Sequence, residues 1–184
     1  MIFRIYPIKD TWISNDFLYP NHTRLTGGNV GASEELDVFK RAGFSGNVGD
    51  LGSSSLARSL LQFDFTQFTS LTASGDFLGS GVSFVLRMNH KTAACAQPTS
   101  FDLVVRPIAS GWDEGNGKDI TLRDKGYANW VKRTSTAYWG TPGGDFMSSP
   151  TSEMHFDTGF EDLEVDVTPL VSGWLNGSIT NNGL

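Results

Sequence analysis

Apolar and polar residues alternate with a period of two along several stretches of the chain, and this alternation constrains the fold more than any other feature. The three clearest stretches are residues 59–65, 82–88 and 162–167. Successive side chains of a β-strand point to opposite faces, so each stretch is predicted to be a strand with one buried and one solvated face. The pattern favours antiparallel over parallel sheets. The residues expected on the buried faces are Leu61, Phe63, Phe65, Val82, Phe84, Leu86, Met88, Leu163, Val165 and Val167.

Weaker strand patterns and loops rich in small residues fill most of the remaining chain. The weaker strands are predicted at residues 3–6, 11–13, 35–39 and 102–108, and the longest loops at residues 41–55, 89–100 and 140–152. Seven or more short strands joined by long loops predict an all-β fold, an antiparallel two-sheet sandwich of the jelly-roll type. Because no linker divides two cores, residues 1–184 are interpreted as a single β-sandwich domain.

One short helix is predicted near the C-terminus. Thr168 places a hydroxyl directly before Pro169, which suits the first helical position, so Thr168 is the expected N-cap. Leu170, Val171 and Trp174 follow at helical spacing, and Gly177 ends the pattern.

Composition and charge exclude several classes of protein. Of the 184 residues, 21 are glycine, 12% are aromatic and only 18% are charged, which is typical of a β protein with many turns. The net charge of −6 lacks the basic footprint of a nucleic-acid-binding protein. The sequence has no run of 18 apolar residues, so membrane insertion is not predicted. The first 14 residues do not have the pattern of a signal peptide. The single Cys95 excludes a disulfide framework and favours a protein made in a reducing cytoplasm.

A series of short motifs, in order along nearly the whole chain, resembles the DNRLRE-type β-sandwich domains, which are related to some carbohydrate-binding modules. The motifs are Asp10-Thr11-Trp12-Ile13-Ser14, Asn29-Val30-Gly31, Leu36-Asp37-Val38, Arg58-Ser59-Leu60-Leu61-Gln62-Phe63-Asp64, Val105-Arg106-Pro107-Ile108, Trp112-Asp113-Glu114-Gly115, Val165-Asp166-Val167-Thr168, Trp174-Leu175-Asn176-Gly177 and Asn181-Asn182-Gly183-Leu184.

The resemblance implies a jelly roll of about this length, in one of three settings. These are cell-wall-associated extracellular proteins, accessory modules of polysaccharide enzymes, and virion proteins of tailed phages. In the family the final asparagine–glycine motif leads into one more apolar strand, whereas this sequence stops at Leu184. The resemblance therefore implies that the final strand is missing or that the chain is the N-terminal part of a longer protein.

Two functions from different classes follow. The first is a non-catalytic structural component of a phage virion, in the neck, the tail or the capsid surface. It would be assembled in the host cytoplasm and would contact other virion subunits in a symmetric homo-oligomer. The second is an extracellular carbohydrate-binding module, and a phage surface protein that binds a host glycan would combine the two.

A set of aromatic and polar residues between positions 112 and 139 is the candidate glycan site. Sugar rings stack on aromatic faces, and their hydroxyls form hydrogen bonds with amides and carboxylates. The alternative is that these rings pack in the core or fix the long loop. The candidates are Trp112, Asp113, Tyr127, Asn129, Trp130 and Trp139.

One structural Ca²⁺ is the only cofactor that the resemblance implies, because related jelly rolls hold such an ion where the first and last strands meet. Ca²⁺ requires six to eight oxygen ligands. Asp10 and Asp166 occupy comparable places, with Glu34 or Glu35 as additional ligands. The alternative is that Asp166 accepts hydrogen bonds from the turn before Thr168.

Apolar residues on two glycine- and serine-rich loops are the candidates for subunit assembly. Phe44 and Leu51 lie in residues 41–57 with Leu56, and Phe146 and Met147 lie in residues 140–152. A neighbouring subunit would order these loops. The alternative is that they fold back over the open end of the sandwich.

No catalytic residue is predicted. The three histidines lie far apart in the sequence, and Cys95 has no base beside it. Asp113 and Glu114 are adjacent, so on a strand they would point apart rather than form the carboxylate pair of a glycosidase. The protein is therefore not expected to be an enzyme.

Overall fold

Strands in antiparallel pairs make up most of the regular structure in a computed structural model of the chain. It describes residues 2–18, 23–42, 54–68, 81–91, 97–121 and 126–184. Helical structure in this part of the chain is limited to residues 66–68 and to one eight-residue helix. These findings confirm the all-β, antiparallel prediction. The elements are β1 (Pro7–Ser14), β2 (Phe17–Leu18), β3 (Thr23–Arg24), β4 (Phe39–Ala42), β5 (Ser54–Phe63), β6 (Val85–Met88), β7 (Phe101–Val105), β8 (Ser152–Phe156), β9 (Leu163–Asp166) and α1 (Thr168–Leu175).

The chain divides into two compact units, each built from separate segments. The first contains Met1–Asp64, Ile108–Asp145 and Gly183, and the second contains Phe65–Pro107, Phe146–Asn182 and Leu184. The interpretation of residues 1–184 as a single domain stays a prediction.

The first unit contains a three-stranded antiparallel sheet in the order β1-β5-β4, with a separate β2-β3 pair. Apolar residues cover both faces of this sheet. Trp12 and Ala57 pack with Val30 on one face, whereas Ile13 and Leu60 pack on the other against residues of segment 108–139. Because neighbouring residues of β1 point to opposite faces, Trp12 and Ile13 belong to two different hydrophobic clusters. The sheet is therefore buried on both sides.

The second unit contains two antiparallel pairs, β6-β9 and β7-β8. In β9 the predicted alternation is confirmed, since Leu163 and Val165 are buried while Glu164 and Asp166 are exposed. Four aromatic rings pack together in this unit, where the ring centroid of Phe65 lies 6.4 Å from that of Phe68, 5.9 Å from that of Phe84 and 5.6 Å from that of Trp174.

The predicted helix is present, but Thr168 is not its N-cap. Val167 occupies the N-cap position without a side-chain cap, and Pro169 lies in the first turn as expected. The Thr168 hydroxyl instead accepts a hydrogen bond from the backbone N–H of Phe84, 2.8 Å away. A tertiary contact to the segment before β6 thus replaces the local cap.

Several predicted boundaries and burial assignments were wrong. Residues 3–6 and 35–38 are not strands, and the loop predicted at 41–55 begins and ends inside β4 and β5. Val82 is exposed, and Phe63, Phe84 and Met88 are only half-buried, whereas Leu61, Leu86 and Val167 are buried as predicted. No helix in the described part of the chain is long and apolar enough to cross a membrane.

Candidate functional site

The three tryptophans of the candidate glycan site belong to the core of the first unit. Trp112, Trp130 and Trp139 are buried in one cluster with Ile13 and Leu60. The indole N–H of Trp139 donates to the backbone oxygen of Asn129 at 2.8 Å, which satisfies its polar atom. A stacked sugar needs an open ring face, so these rings do not form an exposed platform. Core packing, the alternative stated for them, is what the structure shows.

The polar members of the same set hold the loop that follows Trp112. Asn129 is buried, and its Oδ1 accepts the backbone N–H groups of Val131 and Lys132 at 2.9 and 2.7 Å. Its Nδ2 donates to the backbone oxygen of Tyr127, which is half-buried. Asp113 is exposed, and its backbone pairs with that of Arg133 and Ala128. Asn129 therefore organises the backbone rather than facing a ligand.

A buried asparagine that no sequence interpretation assigned to a site joins three segments of the first unit. The Nδ2 of Asn29 donates to the backbone oxygens of Glu114 and Ala128, both at 2.8 Å. Its Oδ1 accepts the backbone N–H groups of Gly31 at 3.3 Å and Gly117 at 2.9 Å. The motif Asn29-Val30-Gly31 was the available signal, although its meaning is structural.

Glycine is required where these segments meet. A Cβ atom added at Gly117 would lie 2.0 Å from the backbone oxygen of Asn29, and one added at Gly31 would lie 2.2 Å from that of Glu114. Such distances are incompatible with a side chain, so the close backbone approach depends on both glycines.

The two carboxylates proposed for Ca²⁺ belong to different units. Burial raises the pKa of Asp10, which lies in β1 of the first unit. Asp166, in the second unit, accepts the backbone N–H of Thr168 at 2.8 Å, and hydrogen bonds from Thr168 lower its pKa. The alternative for Asp166, a hydrogen-bonded turn, is thus observed. Across the described ranges, no three His, Cys, Asp or Glu residues are grouped so that they could hold a metal ion.

The predicted assembly loops are only partly described. Phe44 and Leu51 lie outside the described residues, and Leu56 lies in β5, where it packs against the tryptophan cluster. Phe146 is exposed, with the guanidinium of Arg106 5.5 Å from its ring centre, and Met147 is half-buried.

Many aromatic rings have a basic side chain over them. A cation within about 6 Å of a ring centroid is attracted by the negative face of the ring. At Phe17, Phe39, Phe146 and Tyr138 the basic group covers part of the exposed ring surface, whereas the rings of Trp112 and Trp130 are buried in the core. The pairs are Lys9 with Trp112, Arg24 with Phe17, Arg41 with Phe39, Arg58 with Trp130, Arg106 with Phe146, and Lys132 with Tyr138.

Within the described residues, the densest run of exposed large apolar side chains lies at positions 2–8, and we call these residues the N-terminal apolar segment. The exposed fractions are 90% for Ile2, 66% for Phe3, 74% for Tyr6 and 58% for Ile8. The segment has no regular structure before Pro7, where β1 begins. Sequence reasoning missed this surface because it assigned residues 3–6 to a strand. The available signal was the concentration of apolar residues ahead of the first strand.

Comparison of the chain with family models, with curated proteins and with solved structures gave no match.

Proposed function

We propose that this protein is a non-catalytic structural component of a tailed-phage virion, built on a jelly-roll sandwich and assembled with other subunits in the host cytoplasm. The observation that carries the proposal is the N-terminal apolar segment. A structural subunit needs an apolar surface that a neighbour covers, and it needs no reactive cleft.

Energetics favour a covered N-terminal apolar segment. Complete burial of one large apolar side chain contributes about 1.5–3 kcal/mol. Ile2, Phe3, Tyr6 and Ile8 leave most of that contribution unused within their own chain. A neighbouring subunit that covers these side chains gains this burial free energy. The loss of conformational entropy on ordering the segment is limited, because the segment is continuous with β1 at Pro7. The segment therefore suits a contact between subunits.

The core supports a scaffold role. The β1-β5-β4 sheet is packed on both faces, and Asn29 and Asn129 use their amide groups to fix backbone segments. The carboxylate of Asp145 likewise accepts the backbone N–H groups of Gly140 and Thr141. Polar side chains bound to the backbone in this way favour a rigid surface for neighbours.

Sedimentation velocity of the full chain tests this proposal. The wild-type protein is expected to form a homo-oligomer, and the variant with Ile2→Ser and Tyr6→Ser is expected to shift toward monomer. The matched control variant carries Val38→Ser and Val82→Ser, which replace two exposed apolar residues outside the N-terminal apolar segment. It should sediment like the wild type. A wild-type protein that stays monomeric at every accessible concentration would contradict the homo-oligomer, as would equal loss of assembly in both variants.

The carbohydrate-binding alternative has weaker support. It depended on Trp112, Trp130 and Trp139 as stacking surfaces, and all three are buried. The remaining exposed ring of that region, Tyr138, has Lys132 Nζ 5.3 Å from its centre. We expect the wild-type protein to bind no glycan on an array. Binding by the wild type that disappears in a Tyr138→Ala variant would favour the carbohydrate-binding alternative.

A further inference from the structure

A histidine at the end of β8 lies between two carboxylates. His155 and Asp102 are directly opposite each other in the β7-β8 pair, and the Nδ1 of His155 lies 2.7 Å from the Oδ1 of Asp102. On the other side of the ring, Nε2 lies 3.6 Å from the Oδ1 of Asp157. All three side chains are at least half exposed, so solvent and protons reach them freely.

The two contacts favour the doubly protonated ring. A neutral imidazole carries one N–H and can donate to only one carboxylate, whereas the imidazolium donates from both nitrogens. The hydrogen bond to Asp102 raises the pKa of His155, and the charges of Asp102, Asp157 and Glu161 raise it further. Glu153, two residues earlier on the same face of β8, is also exposed. The charged groups around the ring are thus predominantly acidic.

Asp157 begins a tight turn that leads from β8 toward β9. Its backbone oxygen accepts the N–H of Ser100 at 3.2 Å, which ties the turn to the residue before β7. The carboxylate of Glu161 closes the turn by accepting the N–H and the hydroxyl of Thr158 at 2.8 and 2.9 Å. Phe160, at the tip, is 54% exposed and its ring makes an edge contact with His90.

We propose that Asp102, His155 and Asp157 form a proton-operated latch that holds the 157–161 turn, which carries Phe160, against the start of β7. The latch is closed when the imidazole is charged, because His155 then bridges both carboxylates. When the ring loses its proton, the contact to Asp157 loses its attraction and the turn is released. This inference does not depend on the proposed virion function.

The direction of the pH effect follows from the pKa of His155. Because the pKa is higher in the folded protein than in the unfolded chain, the latch is fully present below the ordinary value near 6.5. It is lost as the pH rises through the folded-state value. Surface ion pairs are weak, so the expected response is local opening of the turn and not global unfolding.

Nuclear magnetic resonance titration of the His155 ring in the full chain gives the first test. Asp102→Asn and Asp157→Asn should each lower the pKa of His155, with the larger shift for Asp102→Asn because that contact is shorter. Asp113→Asn, an exposed carboxylate of the first unit, is the matched control and should leave the titration unchanged. A His155 pKa that is equal in all four proteins would overturn the latch.

Amide hydrogen exchange, corrected for the intrinsic effect of pH, gives the second test. The N–H of Ser100, which donates to the backbone oxygen of Asp157 in the turn, should lose protection as the pH rises through the His155 pKa. In the His155→Gln variant, the protection of this amide should already be low at pH values below the His155 pKa of the wild type. Protection that is independent of both pH and the variant would show that the histidine does not hold the turn.

Discussion

Asn29 shows how a single polar side chain can organise an irregular region. It is fully buried, and each of its two donor and two acceptor positions is used by backbone groups from residues 31, 114, 117 and 128. Buried polar groups are tolerated when they are satisfied in this way, and they become costly when one partner is removed. Asn129 and Asp145 play the same part in neighbouring turns.

Replacement of Asn29 by alanine should therefore destabilise the protein strongly. A buried group left unsatisfied costs about 1–3 kcal/mol, and of the four partners Ala128 is buried and the other three are half-buried, so the Asn29→Ala variant should lose about 3 kcal/mol of unfolding free energy. Urea denaturation measures this loss. Asn116→Ala, at an exposed position in the same region, should change stability by less than about 0.5 kcal/mol. Similar losses in the two variants would contradict the role of Asn29.

Glu161 provides a pH-dependent prediction at the same scale. Hydrogen bonds from the backbone and hydroxyl of Thr158 lower the pKa of this carboxyl from 4.5 to about 2. The stabilisation of the turn is thus present above pH 4.5 and is lost as the pH falls from 4.5 toward 2. Thr158→Ala should raise the pKa of Glu161, which a carboxyl carbon titration by nuclear magnetic resonance measures. An unchanged pKa would show that the hydroxyl does not contribute.

At the scale of secondary-structure elements, period-two alternation was a good guide only where one strand face meets solvent. The alternation in β9 is observed as predicted, with Leu163 and Val165 buried. In β5 the pattern assigned only one face to the core, although Leu60 and Leu61 are both buried. The reason is that segment 108–139 covers the second face, and such a long-range contact leaves no local signal.

The same limit explains the candidate sites. The sequence identified Trp112, Trp130 and Trp139 as a group, and they do cluster. Composition could not show whether the cluster faces solvent or the core, because tryptophan occurs both in hydrophobic cores and on exposed binding surfaces. Thr168 likewise looked like a local helix cap, whereas the partner that it meets, Phe84, is 84 residues away.

Two substitutions in β5 test the observed burial. Leu61→Ala removes a buried side chain and should cost about 2–5 kcal/mol through lost burial and a residual cavity. Phe63→Ala should cost less than Leu61→Ala, even though phenylalanine is larger, because Phe63 is only half-buried. Urea unfolding midpoints at constant m-value give the comparison. A larger loss for Phe63→Ala would mean that this end of β5 is more deeply packed.

At the scale of the whole molecule, the proposed role depends on how the apolar surface is distributed. Basic side chains over aromatic rings cover part of the apolar surface at Phe17, Phe39, Phe146 and Tyr138. The N-terminal apolar segment instead leaves Ile2 and Tyr6 largely exposed. A net charge of −6 opposes non-specific association, so a specific contact is needed to bring subunits together. The proposed role in a virion therefore requires that another subunit covers residues 2–8.

An electron cryomicroscopy structure of the assembled protein tests this requirement most directly. We predict that another subunit covers Ile2, Phe3, Tyr6 and Ile8, in an interface that buries more than roughly 1,000 Å² in total. An assembly in which these four side chains remain exposed to solvent, and in which subunits meet only through other surfaces, would contradict it.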